Sequence, residues 1–236
     1  MIPFGRRAIR HPSPIVRVRL RQCRDLLSYG YSGAGWHPYA AVMLQLRENP
    51  ELAYEDSILK AYHDRFAPRS LAEALTGEPD TGGALPDGWL PLPWFHNPLS
   101  PSPNHQHLGP FSPEYGQFEF ERCKRVFTQL SKHPYQPEHF RDGYIRGYFL
   151  VTSSRYRFMI TAGQHRIAAL AVLGCDEIAV KRQPHFPKVV DIAHVSEWPQ
   201  VISGRYTRAQ AEALFLLYFR QNGREKAEAL DLYRSI

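Results

Sequence analysis

The sequence predicts an α+β fold, a mixed sheet with helices packed on it. Three observations carry that reading. Residues 156–181 pass from a strand-like run through a glycine turn into helical spacing and back to a strand-like run. A second strand-like run, Tyr144 to Val151, stands just before it. Long stretches on both sides carry helix-start signals, with Ser or Thr placed three residues ahead of Glu or Gln.

Residues 1–14 read as a basic tail and 15–236 as one domain. Val16, Val18 and Leu20 alternate with Arg17, Arg19 and Arg21, the pattern of a strand with one buried face. A helical insertion occupies 37–75. Pro38 suits a first helical position, Asp56 is placed to cap a helix running to about Phe66, and Ser70 with Glu73 has capping-box spacing. Residues 76–113 break the periodicity with nine prolines, too many for a regular element. They also hold Trp89, Leu90, Leu92, Trp94 and Phe95, which a flexible linker does not need, so this segment is expected to wrap over the globule as an irregular loop. A core motif region spans 108–193. It opens with a helix over 115–132 and closes with a short strand at Lys188 to Ile192. A helical extension fills 205–236, with Thr207 and Gln210 as a capping box and Asn222-Gly223 as a break before a last helix to about Tyr233. Its simplest role is to pack on the core or to form a homodimer contact.

Composition excludes some classes. Hydrophobic residues make up 43%, enough for a real core, and no apolar run reaches membrane-span length. Arg6, Arg7 and Arg10 are followed by no apolar segment, so no secretory signal is read and a cytoplasmic location is expected. Cys23, Cys123 and Cys175 are far apart and lack metal spacing, which suits a reducing compartment. The net charge of +6 points to anionic partners, although seven arginines in the first 24 residues make much of the excess local.

Gly163-Gln164-His165-Arg166 is the stretch with the most chemistry. A strand-to-helix turn presents free backbone N–H groups, an imidazole and a guanidinium together, which makes an anion site. The plain structural alternative is a turn whose His165 caps or packs locally.

With Ala168-Ala169-Leu170, Leu173-Gly174 and Ile178-Ala179-Val180 behind it, the turn resembles the ParB/sulfiredoxin superfamily, and the resemblance covers residues 108–182. It implies a ParB/sulfiredoxin-like mixed sheet and nucleotide-phosphate handling at Gly163, Gln164, His165 and Arg166. Members include CTP-dependent partitioning proteins, sulfinic-acid reductases and free-serine kinases. Gln164 stands where the sulfiredoxin-like members keep their catalytic cysteine, and Cys175 lies beyond the helix, so sulfinic-acid reduction is not expected. The turn is closest in form to that of the free-serine kinases, which use a carboxylate just before the upstream helix as base. The resemblance therefore makes Glu114 the first candidate and Glu119 the second, with His165 stabilising the transferring group. Acidic residues also favour any first helical turn, the structural alternative for Glu114.

Asp142-Gly143 is a simple turn or a Mg²⁺ holder, and Arg146 faces phosphates or solvent. His105 and His107 read as solvated rather than as metal ligands, and Trp89, Trp94 and Phe95 as packing. The expected function is binding of ATP or another nucleotide, with Mg²⁺, and phosphoryl transfer to a hydroxyl of an amino acid or sugar. The alternative is a ParB-like nucleotide-dependent DNA-binding regulator or nuclease. A nucleic-acid partner is less favoured because no helix-turn-helix follows the motif.

Overall fold

The computed structural model describes residues 13–68, 70–77, 92–96, 109 and 111–233. Six strands form one mixed sheet: β1 (Ile15–Arg19), β2 (Cys23–Arg24), β3 (Ile145–Val151), β4 (Tyr156–Ala162), β5 (Glu177–Arg182) and β6 (Val189–Asp191). The order is β1-β5-β3-β4-β2, and β6 pairs with β3. β1 runs antiparallel to β5, β5 parallel to β3, and β3 antiparallel to β4. One edge of β3 is shared: Ile145 to Gly147 pair with β5, and Phe149 to Val151 with β6. The alternation read in the N-terminal strand holds, with Val16 and Val18 buried and Arg17 and Arg19 exposed.

The helices are α1 (Pro38–Glu48), α2 (Ile58–Arg65), α3 (Leu71–Thr76), α4 (Pro113–Lys132), α5 (Gln164–Val172), α6 (Pro199–Ile202), α7 (Arg208–Arg220) and α8 (Arg224–Ala229). Caps explain most of their starts. Ser57, Ser70, Ser112 and Thr207 each accept a backbone N–H of the first turn, and the Thr207/Gln210 box is complete. The expected Asp56 cap is corrected: Asp56 closes a short 3-10 turn, Tyr54–Asp56, and Ser57 holds the extended cap position. Pro38 opens α1 as read, behind an unforeseen cap from His37.

Helices α1 and α4 pack on α5, and α2 packs on α1. Tyr148, neighbour in β3 to the buried Phe149, contacts Phe95 and Phe186, and its hydroxyl accepts from Trp94 Nε1 at 3.1 Å. Within the Pro-rich segment, Leu92 and Trp94 are buried as the wrapping reading expects, and Gln200 anchors them through the Phe95 and His96 carbonyls at 2.6 and 3.0 Å. Trp89, Leu90, His105 and His107 lie outside the described residues, as do residues 1–12 of the basic tail.

The C-terminal helices join the core, with Phe215, Tyr218 and Ala227 fully buried. Two buried or half-buried arginines fasten the end of α7: Arg157 Nε donates to the Tyr218 carbonyl at 3.1 Å and Arg24 Nε to the Gln221 carbonyl at 3.2 Å. Both sit at the negative end of that helix, where cations are stabilising. Arg24 thus serves the fold rather than an outside anion.

Among the described residues, no helix is long and apolar enough to cross a membrane, and the three cysteines are free thiols.

Gly147 marks a register shift in β3, and a Cβ there would overlap the Met159 carbonyl, which is fixed backbone. Gly143 has φ +65° but open space around its would-be Cβ. Gly147→Ala should therefore cost about 3 kcal/mol through forced strand movement, and Gly143→Ala about 1 kcal/mol from left-handed backbone alone. Urea unfolding of the two variants measures this, and equal losses would show that β3 yields freely at Gly147.

Candidate functional site

The strand–turn–helix read from the sequence is present: β4 ends at Ala162, Gly163 turns, and α5 begins at Gln164. Gly163 has φ +91° and ψ 26°. A Cβ on it would lie 2.9 Å from Ile145 Cγ1 and 3.0 Å from Arg166 Nη2, so glycine is required by both conformation and space. It offers no side chain to cap α5, whereas α1, α2, α3, α4 and α7 are capped by His37, Ser57, Ser70, Ser112 and Thr207. The N-cap residue thus gives the first-turn N–H groups of α5 no side-chain acceptor, as is also the case at α6 and α8, and these groups lie at the positive end of the helix.

Arg166 folds back beside this turn. Its Nη1 donates to the Gly143 carbonyl, and its guanidinium lies 4.9 Å from the centre of the Phe140 ring. Burial pushes its pKa down, and Arg146 and Arg122 act on it as nearby positive charges while Asp142 acts as a negative one. Arg146 is half-buried on β3, and its Nε is shielded from solvent without a hydrogen-bond partner among the described residues. Asp142 is exposed in the turn before β3. The turn, Arg146, Arg166 and Asp142 therefore belong to one neighbourhood.

His165 lies in the interior, 5% exposed, between α1 and α4. Its Nε2 is 2.9 Å from Glu119 Oε2, and its ring stacks on Tyr39 at 4.2 Å and 19°. The ring N–H is not well aligned with the carboxylate, so the approach is a close polar contact rather than a well-directed hydrogen bond. The Tyr39 hydroxyl donates to the same Oε2 at 2.6 Å, and Arg122 Nη1 stands 3.6 Å from Oε1. Burial pushes the Glu119 carboxyl up, but His165, Tyr39 and Arg122 outweigh it and hold it down at about 2. Burial lowers the imidazole, against the pull of Glu119. The cluster is thus an ionised carboxylate in contact with a buried imidazole, a tyrosine hydroxyl and a guanidinium.

Glu119 and His165 are brought together and Glu114 stays apart. Glu114 is exposed in the first turn of α4, where its own backbone N–H and then the Ser112 hydroxyl hold its carboxyl below the ordinary range. Gln164 is half-buried and lines a cleft beside Tyr39 and Tyr115.

Sequence reasoning missed Tyr39, Arg122, Asp25 and His37. Tyr39 meets Glu119 across eighty positions of chain, and no spacing rule reaches that far. Asp25 and His37 left one faint signal, an acid directly after an arginine-rich strand and a histidine just before a helix-opening proline. Among the described residues no group of three metal-ligating side chains assembles.

No family model matches the chain, and neither a curated protein nor a solved structure matches it.

The buried carboxylate makes a definite stability statement. Tyr39→Phe removes a donor to a charged acceptor and should cost about 1.5–3 kcal/mol in urea unfolding. Because the folded pKa of Glu119 lies below its unfolded value, its contribution is present above about pH 4.3 and is lost as pH falls toward about 2. The stability difference between the native protein and Glu119→Gln should therefore shrink as pH drops through that window. A difference constant with pH would mean that Glu119 is not ionised in the folded state.

Proposed function

We propose that this chain binds a nucleotide at the Gly163–Arg166 turn and transfers its terminal phosphoryl group to a hydroxyl of a small molecule, on a ParB/sulfiredoxin-like sheet. The observation that carries the reading is the start of α5 on a left-handed glycine that provides no side-chain cap, with Arg146 paired to Ala162 in the strand before it and its buried Nε without a hydrogen-bond partner among the described residues. A phosphate fits both: the N–H groups and helix dipole hold it from one side, and a guanidinium completes it from the other.

In this reading Gly163 and Gln164 give the phosphates access to backbone, Arg146 and Arg166 supply positive charge, and Asp142 is the carboxylate available to a phosphate-bound Mg²⁺. His165 positions rather than touches: with Glu119 it locks α5 to α4 and so fixes the direction of the exposed N–H groups. Glu114, the exposed carboxylate at the head of α4, takes the acceptor proton. The acceptor oxygen forms a bond to the terminal phosphorus, the bond from that phosphorus to the leaving phosphate breaks, and the nucleotide departs one phosphate shorter. Positioning and charge stabilisation do most of such work.

The test is thermal unfolding with ATP, ADP, CTP and GTP, each with and without Mg²⁺. A nucleotide at 100 times its Kd should stabilise by about 2.7 kcal/mol. Arg146→Ala should lose that gain, while Arg155→Ala, in the exposed β3–β4 turn at the far end of β4, should keep it. Equal loss in both would mean general charge attraction. Glu114→Ala should keep binding and lose roughly 10²-fold in turnover. Stabilisation by CTP alone, with hydrolysis stimulated by duplex DNA and no acceptor, would replace the kinase reading with the DNA-regulator one.

A further inference from the structure

Part of the sheet is covered on one face only. In β1 and β5 the side chains of Val16, Val18, Ile178 and Val180 are buried. The residues between them, Ile15, Arg17, Arg19, Ala179 and Lys181, are exposed or half-buried and lie on the opposite face. Register carries that open face into β3: Ile15 pairs with Lys181, Arg17 with Ala179, and Lys181 with Arg146. Three adjacent strands thus present Arg17, Arg19, Lys181 and Arg146 together. Glu177 is the single acid in these strands. It stands 3.5 Å from Arg17 Nε and 3.8 Å from Arg19 Nε, so one carboxylate answers two guanidiniums.

Aromatic surface adjoins these cations. Tyr148 follows Arg146 on the same face of β3. Between β5 and β6 the chain crosses beside it, with the Gln183 N–H donating to the Gly147 carbonyl at 2.8 Å and the Phe149 N–H to the Lys188 carbonyl at 3.2 Å. This crossing lays Phe186 on the Tyr148 ring, centres 5.8 Å apart and planes at 12°, with Phe95 against it at 5.0 Å and 83°. Phe186 and Phe95 are half-buried, so part of each ring reaches solvent, and Lys188 beside them is exposed. Residues 178–190 hold no Asp or Glu.

Exposed cations crowded on one face repel one another and add little to stability. A polyanion relieves that repulsion. An acidic protein surface would answer the charges and leave the rings unused. A duplex keeps its bases stacked and offers a flat sheet only phosphates. An unpaired strand offers both phosphates and base faces, the two chemistries that stand side by side here.

We infer that this open face binds single-stranded nucleic acid, its phosphates on Arg17, Arg19 and Lys181 and a base on Phe186. The inference does not rest on the nucleotide reading of the Gly163 turn. Arg146 alone is common to both, and the variants below leave it unchanged.

The experiment is fluorescence anisotropy of the full chain with labelled oligo-dT, oligo-U and a DNA duplex, each of about 12 nucleotides per strand, within the usual range of single-strand sites. Both single strands should bind more tightly than the duplex, and the tighter of them identifies the sugar that the face prefers. For about three or four phosphates, log K against log salt should fall with a slope of about −2 to −3. Arg17→Ala with Lys181→Ala should flatten that slope by about 1 to 1.5. Phe186→Leu keeps an apolar side chain on Tyr148 and should weaken binding about tenfold with the slope unchanged. The control pair, Arg47→Ala with Lys60→Ala on α1 and α2, should leave affinity and slope as they are. No binding at low salt, tighter binding of the duplex, or equal losses in the control pair and the Arg17/Lys181 pair overturns the inference. Full affinity in a folded Phe186→Leu overturns it as well, because phosphates alone would then explain the binding.

Discussion

The ionised carboxylate of Glu119 in the interior is the constraint on which the arrangement of helices depends. A carboxylate that is 2% exposed is tolerated only if its oxygens are answered, and the answers come from three places. Tyr39 of α1 donates to it, His165 of α5 contacts it, and Arg122, one turn along α4, faces its other oxygen. Hydrophobic packing would let these helices slide with modest loss. A shared buried charge does not, because a displaced partner leaves an uncompensated ion. The start of α5 is thereby held in one orientation relative to β3 and to the cleft beside Tyr39.

A second buried acid is handled on the same helix. Asp25 faces His37, which caps α1 and takes the N–H of Tyr39, and burial pushes the Asp25 carboxyl up against the smaller pull of Lys226 of the C-terminal α8, whose ammonium donates to the Leu27 carbonyl. Helix α1 therefore carries contacts to both acids within three residues, His37 to Tyr39. The helical segment between β2 and β3 thus brings His37 and Tyr39 to Asp25 and Glu119, and the C-terminal α8 places Lys226 beside the Leu27 carbonyl.

Local order was largely legible because it has local causes. The Val16/Val18 alternation, the strand–glycine–helix passage around Gly163, the Thr207/Gln210 box and the Asn222-Gly223 break each depend on residues within a few positions, and each stands in the structure. Asp56 shows the limit of such reading: Asp56 and Ser57 are both good caps, and Ser57 holds the position because the preceding 3-10 turn already uses Asp56.

The sequence by itself determined the α+β alternation, from the strand and helix patterns over residues 144–181, and the glycine-opened helix start at Gly163, because those signals are local to the chain. Only the tertiary structure decided that His165 points inward to Glu119, that Glu114 stays at the surface, and that Asp25, His37 and Tyr39 meet beside Gln164. The physical reason is distance along the chain. A buried charge selects its partners by three-dimensional proximity and desolvation, and Tyr39 lies eighty residues from the acid to which it donates.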